Sequence, residues 1–600
     1  MANNGLPAIR TEVFQLSGGL DLVSPALALA PGNLIDAVNF EPDINGGYRR
    51  MYGMERLDGR PSPTDANYYG MAVSLSGAVS AGDTITGAVS GATAVVVLVN
   101  GTTSLVVVKV VGLFTTEAIS VSGTTVGTVS STGLNNATTP QLHAAYKRLA
   151  ANNYRADIKK PAGSGPILGA WYYGGKRYCF RNNAGGTKAI MFAESASGWQ
   201  ALSFGREILF SSAVGQINEG DTVTGGTSGA TGVVKRALLR TGTWTSSGVG
   251  SLVFDTVTGT FQNGEALKVA TVTKATSSSA DTAISLLPSG RFEFVNTNFS
   301  GTTATNRMYF ADGVNHLCEF DGTRLVPIRT GIGNDTPKYV AGWKNMLVCA
   351  VSSSVQLSGI GQPYSWTALT GAAELALGSD CTGLLPQLGD QNSGAMAIFT
   401  ASQTFILYGN STADFRLVLN SPDAGNQPYC CQNIGYAYYL DTKGVVQINS
   451  TRSFGNFEMS TLTRKVQPII DKHRGAAVAS CIVRSTNQYR VFFNDGTGII
   501  LYMQRGQTQQ TIYGEQTADG VGAIMFFDYG SWLGTGRYFN TVVSYVDSSG
   551  VEHVMASGSD GYVYELDRGT SIDGENMQSH MLLAFNSSKS PRLRKRYKRM

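Results

Sequence analysis

The sequence predicts a mainly β protein with a β-propeller-like core, two small inserted β-modules and one notable helix. The first sign is a recurring strand–turn–strand unit. At 306–328 (NRMYFADGVNHLCEFDGTRLVPI) the run Arg307-Met308-Tyr309-Phe310 turns through Asp312-Gly313 and returns through Leu317-Cys318-Glu319-Phe320. Runs of β-favouring residues split by Asp-Gly turns are the sequence form of antiparallel hairpins. Related units lie at 436–449, 489–503 and 553–567, with looser ones at 176–192, 345–357 and 395–408. From 306 onward their starts are roughly 40 to 65 residues apart, within or somewhat above the period of propeller blades. The second sign is composition. With 72 glycines, 42% hydrophobic and only 15% charged residues, the chain favours short strands and tight turns over helices. The third is an internal duplication, taken up below.

In chain order, residues 1–70 form an expected N-terminal arm with a hairpin. Pro31-Gly32-Asn33 is placed to start a short helix ending near Phe40, and Asn45-Gly46 is a tight-turn signal. Arg49, Arg50, Glu55, Arg56 and Asp58 alternate with Tyr48, Met51 and Tyr52, which suits a segment lying across another surface and equally an edge hairpin. Two related β-modules are expected at 75–131 and 213–277. Gly82-Asp83-Thr84-Ile85-Thr86-Gly87 with Ser90-Gly91-Ala92-Thr93 returns 138 residues later as Gly220-Asp221-Thr222-Val223-Thr224-Gly225 with Ser228-Gly229-Ala230-Thr231. Ser104-Leu105-Val106 and Gly112-Leu113-Phe114 return 147 residues later as Ser251-Leu252-Val253 and Gly259-Thr260-Phe261. Neither copy has helical periodicity, and each is able to close a small sheet or barrel.

The helix is expected from Pro140 to about Ala156, with Thr139 as N-cap and Leu142, Ala145, Tyr146, Leu149 and Ala150 on one face. It opens a segment, 138–212, that also holds the first propeller strands. Blades are expected over 285–585 and a basic tail over 586–600.

Formal charge is +4, but 592–600 (RLRKRYKRM) holds six of the 46 basic residues and no acid, so the body is slightly acidic. Any nucleic-acid affinity would sit in that tail, whose other reading is a solubilising end. The seven cysteines are scattered with no C-x-x-C pair, which disfavours a disulfide framework and fits folding in a reducing compartment. The N-terminus lacks a signal-peptide pattern. The most apolar stretch, 92–114, is cut by Asn100-Gly101 and Lys109, so no membrane span is expected.

Catalytic patterns are sparse. His143, His316, His473, His553 and His580 share no metal-ligand spacing, and no G-x-S-x-G elbow occurs. Gly169–Lys176 (GAWYYGGK) approaches a phosphate loop but has an extra glycine before the lysine and enters a strand. The Gly-Asp-Thr turns lack the further acids of a Ca²⁺ loop. Paired carboxylates for glycan hydrolysis are conceivable as Asp380 with Asp390, or Asp560 with Glu565. No cofactor, metal or catalytic residue is expected.

Four stretches resemble structural proteins of short-tailed bacteriophages of the tail nozzle, or tail tubular protein B, type. They are 18–63 (GGLDLVSPALALAPGNLIDAVNFEPDINGGYRRMYGMERLDGRPSP), 345–366 (NMLVCAVSSSVQLSGIGQPYSW), 399–457 (including FILYGNSTADFRLVLN) and 558–594 (GSDGYVYELDRGTSIDGENMQSHMLLAFNSSKSPRLR). The resemblance implies a non-enzymatic virion protein, made in the host cytoplasm. It would form a ring of typically six copies below the portal and adaptor, as channel and gate for DNA ejection. Implied partners are other copies of the chain, the head-to-tail adaptor, tail fibres through the inserted modules, and duplex DNA passing without sequence specificity. A near-neutral body suits a conduit, since tight phosphate binding would slow passage. Arg49, Arg50, Arg592, Arg594, Lys595, Arg596, Lys598 and Arg599 are the expected assembly contacts. The alternative is a tail-associated propeller that binds or cleaves host surface glycans.

Overall fold

Six four-stranded antiparallel sheets and a seventh, six-stranded one follow one another around a ring, spanning 164–201, 293–328, 339–376, 381–421, 431–461, 477–528 and, for the last, 539–566 together with strands from elsewhere in the chain. We call them blades 1 to 7. The computed structural model describes residues 16–584 apart from 17, 44–45, 388–393, 449–458, 504–520, 531–533 and 535. Inner strands of neighbouring blades abut in sequence order, and Ser164–Tyr173 of blade 1 packs on Phe539–Val546 of blade 7, which closes a seven-bladed β-propeller. Each blade buries both faces, so its middle strands are largely buried; Met346–Val351 is buried and apolar at every position, and Gln488–Phe493 is buried throughout, even at Gln488 and Arg490. Aromatic rings seal the gaps between blades. Phe180 of blade 1 stacks 4.0 Å from Phe292 at the entry to blade 2, and Phe492 of blade 6 meets Phe539 of blade 7 edge-on.

Blade 7 takes its first three strands from the C-terminal part of the chain and its fourth, Met54–Leu57, from the N-terminal arm; the short strands Ser571–Ile572, parallel to Met54–Leu57, and Glu575–Asn576 then extend the sheet to six. Met54 pairs with Leu566 and Leu57 with Val563, all four buried. Nothing in the local pattern of Met54–Leu57 announces this role. The expected short helix after Pro31 is absent. Leu34–Val38 is instead a strand paired antiparallel with His580–Leu583. About ten residues make a helix too short to hold itself together, and here Leu34 and Ala37 are buried against blade 6 through a strand partner far away in sequence. The expected hairpin follows as Phe40–Pro42 with Tyr48–Arg50.

The duplicated segments form two closed six-stranded barrels with identical strand order. The first runs from Tyr69–Leu75 to Thr124–Leu134, and the second from Arg206–Ala213 to Val272–Ser277 with Thr282–Ala283 appended. Both begin earlier than the expected 75 and 213, because the first strand of each lacks the repeated phrases. The expected segment 138–212 therefore ends in barrel 2, whose first strand starts at Arg206. The two barrels share even a strand irregularity: Val96 opposes Val107 and Leu98 opposes Val106 in one, Val234 opposes Phe254 and Arg236 opposes Val253 in the other.

The helix Pro140–Asp157 is capped by Thr139, whose hydroxyl accepts from the Leu142 amide at 3.3 Å. Of its predicted apolar face only Ala150 is fully buried, while Leu142 is exposed. The helix covers barrel 1 through Tyr68, whose ring meets Tyr146 edge-on and whose hydroxyl lies 3.1 Å from His143 Nδ1.

Candidate functional site

Three features concentrate the unusual chemistry of the described residues: the propeller axis, the seam where the ring closes, and the barrel attachments. All seven inner strands line an axial cavity of about 330 Å³, from Trp171 of blade 1 to Thr541 of blade 7. Arg291, at the entry to blade 2, crosses this space. Its Nη1 donates to the Val478 carbonyl of blade 6, and its guanidinium lies 3.3 Å over the ring of Tyr429, at the entry to blade 5. Blades 5 and 6 stand opposite blade 2 in a ring of seven, so Arg291 is a strut across the axis. Glu293 accompanies it 3.6 Å from Nη2. Burial raises the Glu293 pKa, with Arg291 and Lys338 opposing the rise.

At the seam, Glu55 of the arm lies directly opposite Glu565 of blade 7, and both are buried. Like charges facing across a strand pair repel, and cations from three directions offset this. His553 Nδ1 lies 2.6 Å from Glu565 and its Nε2 lies 3.1 Å from Asp547. Arg177 of blade 1 approaches Glu565 at 3.9 Å while holding Glu194. Arg568 stands about equally far from Glu55 and Glu565, at 4.0 and 3.9 Å, and pairs with Asp65. The hydrogen bond to Glu565 raises the His553 pKa against the effect of burial, with Asp547 adding to the rise. Burial raises the pKa of Glu55 despite its bonds from Thr64. The wheel is thus closed by an ionic cluster beside apolar strand pairing.

The barrels attach by different means through the same face. In barrel 2, Arg236 Nη1 reaches Glu319 of blade 2 at 2.6 Å, Arg329 of blade 2 grips Glu207 with two bonds of 2.7 and 2.6 Å, and Arg324 pairs with Asp255 at 3.0 Å. The duplication aligns Leu98 with Arg236, Gly70 with Glu207 and Val108 with Asp255. In barrel 1 that face is apolar, and Val108 and Leu98 pack with the Pro140–Asp157 helix.

Each barrel also holds an acid that the sequence reading missed. Glu117 accepts from the amides of Val89 (2.6 Å), Ser90 (2.8 Å) and Thr115 (3.0 Å) and from the Ser90 hydroxyl (2.5 Å). Glu265 accepts in the same way from Thr227, Ser228 and Gln262. Asp83 and Asp221, the acids of the Gly-Asp-Thr turns, each accept the amide three residues before them, at 2.7 Å. Aligning the copies past the shared Phe114 and Phe261 pairs the two glutamates only with a one-residue gap, since copy 2 has one more residue before Glu265. Hydrogen bonds from Ser90, then from the backbone, bring the Glu117 pKa down to about 2. A carboxylate with a lowered folded pKa stabilises above its unfolded value and loses that contribution as pH falls. Barrel 1 is therefore expected to loosen between about pH 4.5 and 2, and Glu117→Gln to remove that acid dependence. Hydrogen exchange across 69–134 measured against pH checks this.

The expected assembly residues are placed unevenly. Arg49 binds Glu41 at 2.8 Å and stacks on Tyr52, and Arg50 donates to the Thr570 carbonyl at 2.9 Å, so both are engaged within the chain. Arg592, Arg594, Lys595, Arg596, Lys598 and Arg599 lie outside the described residues, as does Asp390, the proposed partner of Asp380. Asp560 and Glu565 do not come together: Asp560 accepts from the Tyr564 hydroxyl at 2.8 Å, and strand alternation turns Glu565 to the opposite face. All seven cysteines are free thiols, six of them buried. No described helix is long and apolar enough to cross a membrane.

Strand order and closure define a seven-bladed β-propeller carrying two inserted barrels. No protein-family profile and no curated protein matches the chain. Similar solved structures include Sqt1 from Chaetomium thermophilum, at 10% identity over 69% of this chain and 99% of that one, with a TM-score of 0.36. A chain of the mitotic checkpoint complex aligns at 6% identity over 60% and 90%, with a TM-score of 0.30. YCF48 from Cyanidioschyzon merolae aligns at 10% identity over 60% and 98%, with a TM-score of 0.29.

Proposed function

We propose that the chain is a structural subunit of a short viral tail, whose copies, six in the simplest arrangement, form a ring through which duplex DNA leaves the virion. The observation that carries this reading is the union of the chain's two ends. The N-terminal stretch resembling nozzle proteins supplies Leu34–Val38 and Met54–Leu57, and the C-terminal one supplies their partners His580–Leu583 and Val563–Leu566. Phrases far apart in sequence thus compose one physical unit. The axial cavity has the volume of a small-ligand pocket, whereas the major groove of DNA alone is about 12 Å wide. A passage for duplex therefore lies between copies and not along a propeller axis. The adaptor and tail fibres are the partners this reading adds.

The test is deletion of 592–600. The truncated monomer is expected to fold as before, with assembly into particles impaired. Normal virions from the truncated protein would refute the role given to the tail. Release of reducing sugar from host polysaccharide, abolished by one Asp or Glu substitution, would replace this function with a glycan-cleaving one.

A further inference from the structure

The two barrels share a fold but not a tip. At one end of barrel 1, the turn 88–91 and the loop 111–116 are drawn together by Glu117, which binds the amides of Val89, Ser90 and Thr115. Three aliphatic side chains stand out from this end: Val89 at 82% exposed, Leu113 at 75% and Val111 at 68%. The duplication aligns these with Thr227, Thr260 and Thr258 in barrel 2, where Glu265 makes the same turn-binding bonds. The barrel therefore folds with threonine at all three places, and the aliphatic set of barrel 1 serves something other than its own core. The turn and loop carry no charged side chain apart from Glu117, which is buried.

A second surface of matching character lies on blade 3. Residues 358–373 (SGIGQPYSWTALTGAA) carry no charge over sixteen positions. They hold Ile360, and Leu369, which at 97% is the most exposed large hydrophobic side chain described. This loop is firmly held. Gly361 donates to the Asn345 carbonyl at 2.7 Å, Gly359 to Ser365 at 2.9 Å, and the Trp366 indole to Pro363 at 3.0 Å. Tyr364 from the same loop donates to buried Glu319 and accepts from Arg236, which ties it to the barrel 2 attachment.

We propose that the apolar tip of barrel 1 is a subunit contact, seated on the 358–373 loop of a neighbouring copy of the chain. This rests on the ring reading. Two different patches meeting head-to-tail give a heterologous contact, the kind that generates rings when the rotation closes. Both surfaces are uncharged, so neither leaves an ion desolvated and unpaired in the contact. Barrel 2 has its docking face bound by ion pairs to its own propeller and a hydroxyl-rich tip, and so takes no part.

The experiment compares the full-length chain with V89T/V111T/L113T, with L369S, and with their combination, by light scattering and particle imaging over a concentration series. The threonine set copies barrel 2, and unchanged hydrogen exchange over 69–134 verifies that barrel 1 is intact. Each variant is expected to raise the concentration for half-assembly by at least about tenfold, equivalent to about 1.4 kcal/mol. The combination should add little to either, as residues sharing one contact are not additive. Rings that form normally from the threonine variant would overturn the proposal while leaving the ring reading in place. Effects that multiply in the combination would overturn the pairing with 358–373. A wild-type chain that stays monomeric throughout would remove the ring reading itself.

Discussion

Replacing Arg236 with methionine is expected to destabilise the attachment of barrel 2 by about 3–5 kcal/mol, the range for removing one partner of a buried ion pair. Glu319 is the reason. It is 0% exposed, and Arg236 Nη1 stands 2.6 Å from its carboxylate. Tyr309 donates to it at 2.9 Å, Tyr364 donates as well, and Arg307 lies 3.7 Å away. Those remaining donors place the loss toward the lower end of the range. Hydrogen exchange should rise in Thr231–Thr243 and in Leu317–Phe320, with barrel 1 unaffected. Replacing Glu319 with glutamine alongside should recover part of the loss, because the uncompensated charge is then gone. Exchange unchanged in the single variant would mean that barrel 2 is held by its other pairs alone.

Deleting residues 1–58 is expected to abolish cooperative folding of the propeller. The deletion strips Met54 and Leu57 from blade 7 and bares Val563 and Leu566. Burying each large apolar side chain contributes about 1.5–3 kcal/mol. Four such losses are comparable to the whole stability of a typical domain, about 5–15 kcal/mol. The same cut removes Arg56, which binds Asp573 together with Arg155, and Asn39, which donates to the Asp528 and Gln578 carbonyls. A peptide spanning 46–66, added in trans, should restore part of the near-UV signal of the buried tyrosines. A truncated chain that unfolds in one transition at the wild-type denaturant concentration would sink this expectation.

Much of this architecture could be read from residues alone. The Asp-Gly hairpin at 306–328, the duplicated Gly-Asp-Thr phrases and the Thr139-Pro140 helix start are local signals, and local pattern was enough for them. The closing strand was not legible, because Met54–Leu57 becomes a strand through partners at 563–566 that no window around it contains. Leu34–Val38 was misjudged for the same reason: its partner, His580–Leu583, lies at the other end of the chain. The ionic cluster at the seam, the Arg236–Glu319 pair and the Arg291 strut were invisible too. Each joins side chains that only the ring brings together. Cross-axis and cross-blade contacts carry no spacing rule, so charges such as Arg291 look like ordinary surface residues until the wheel is closed.

The closure of blade 7 also sets a clock on synthesis. Roughly 500 residues separate Met54–Leu57 from the strand it must join, which at about 5–20 residues per second takes a ribosome about 25–100 s. Throughout that interval six blades can gather while the last position stays vacant, and the early segment waits with its apolar edge uncovered. A nascent chain halted before Phe539 would leave an open arc instead of a wheel, and one halted before Val563 would leave blade 7 without the strand that Met54–Leu57 joins. Ribosome pausing or chaperone occupancy late in the message would then govern yield more strongly than either does early.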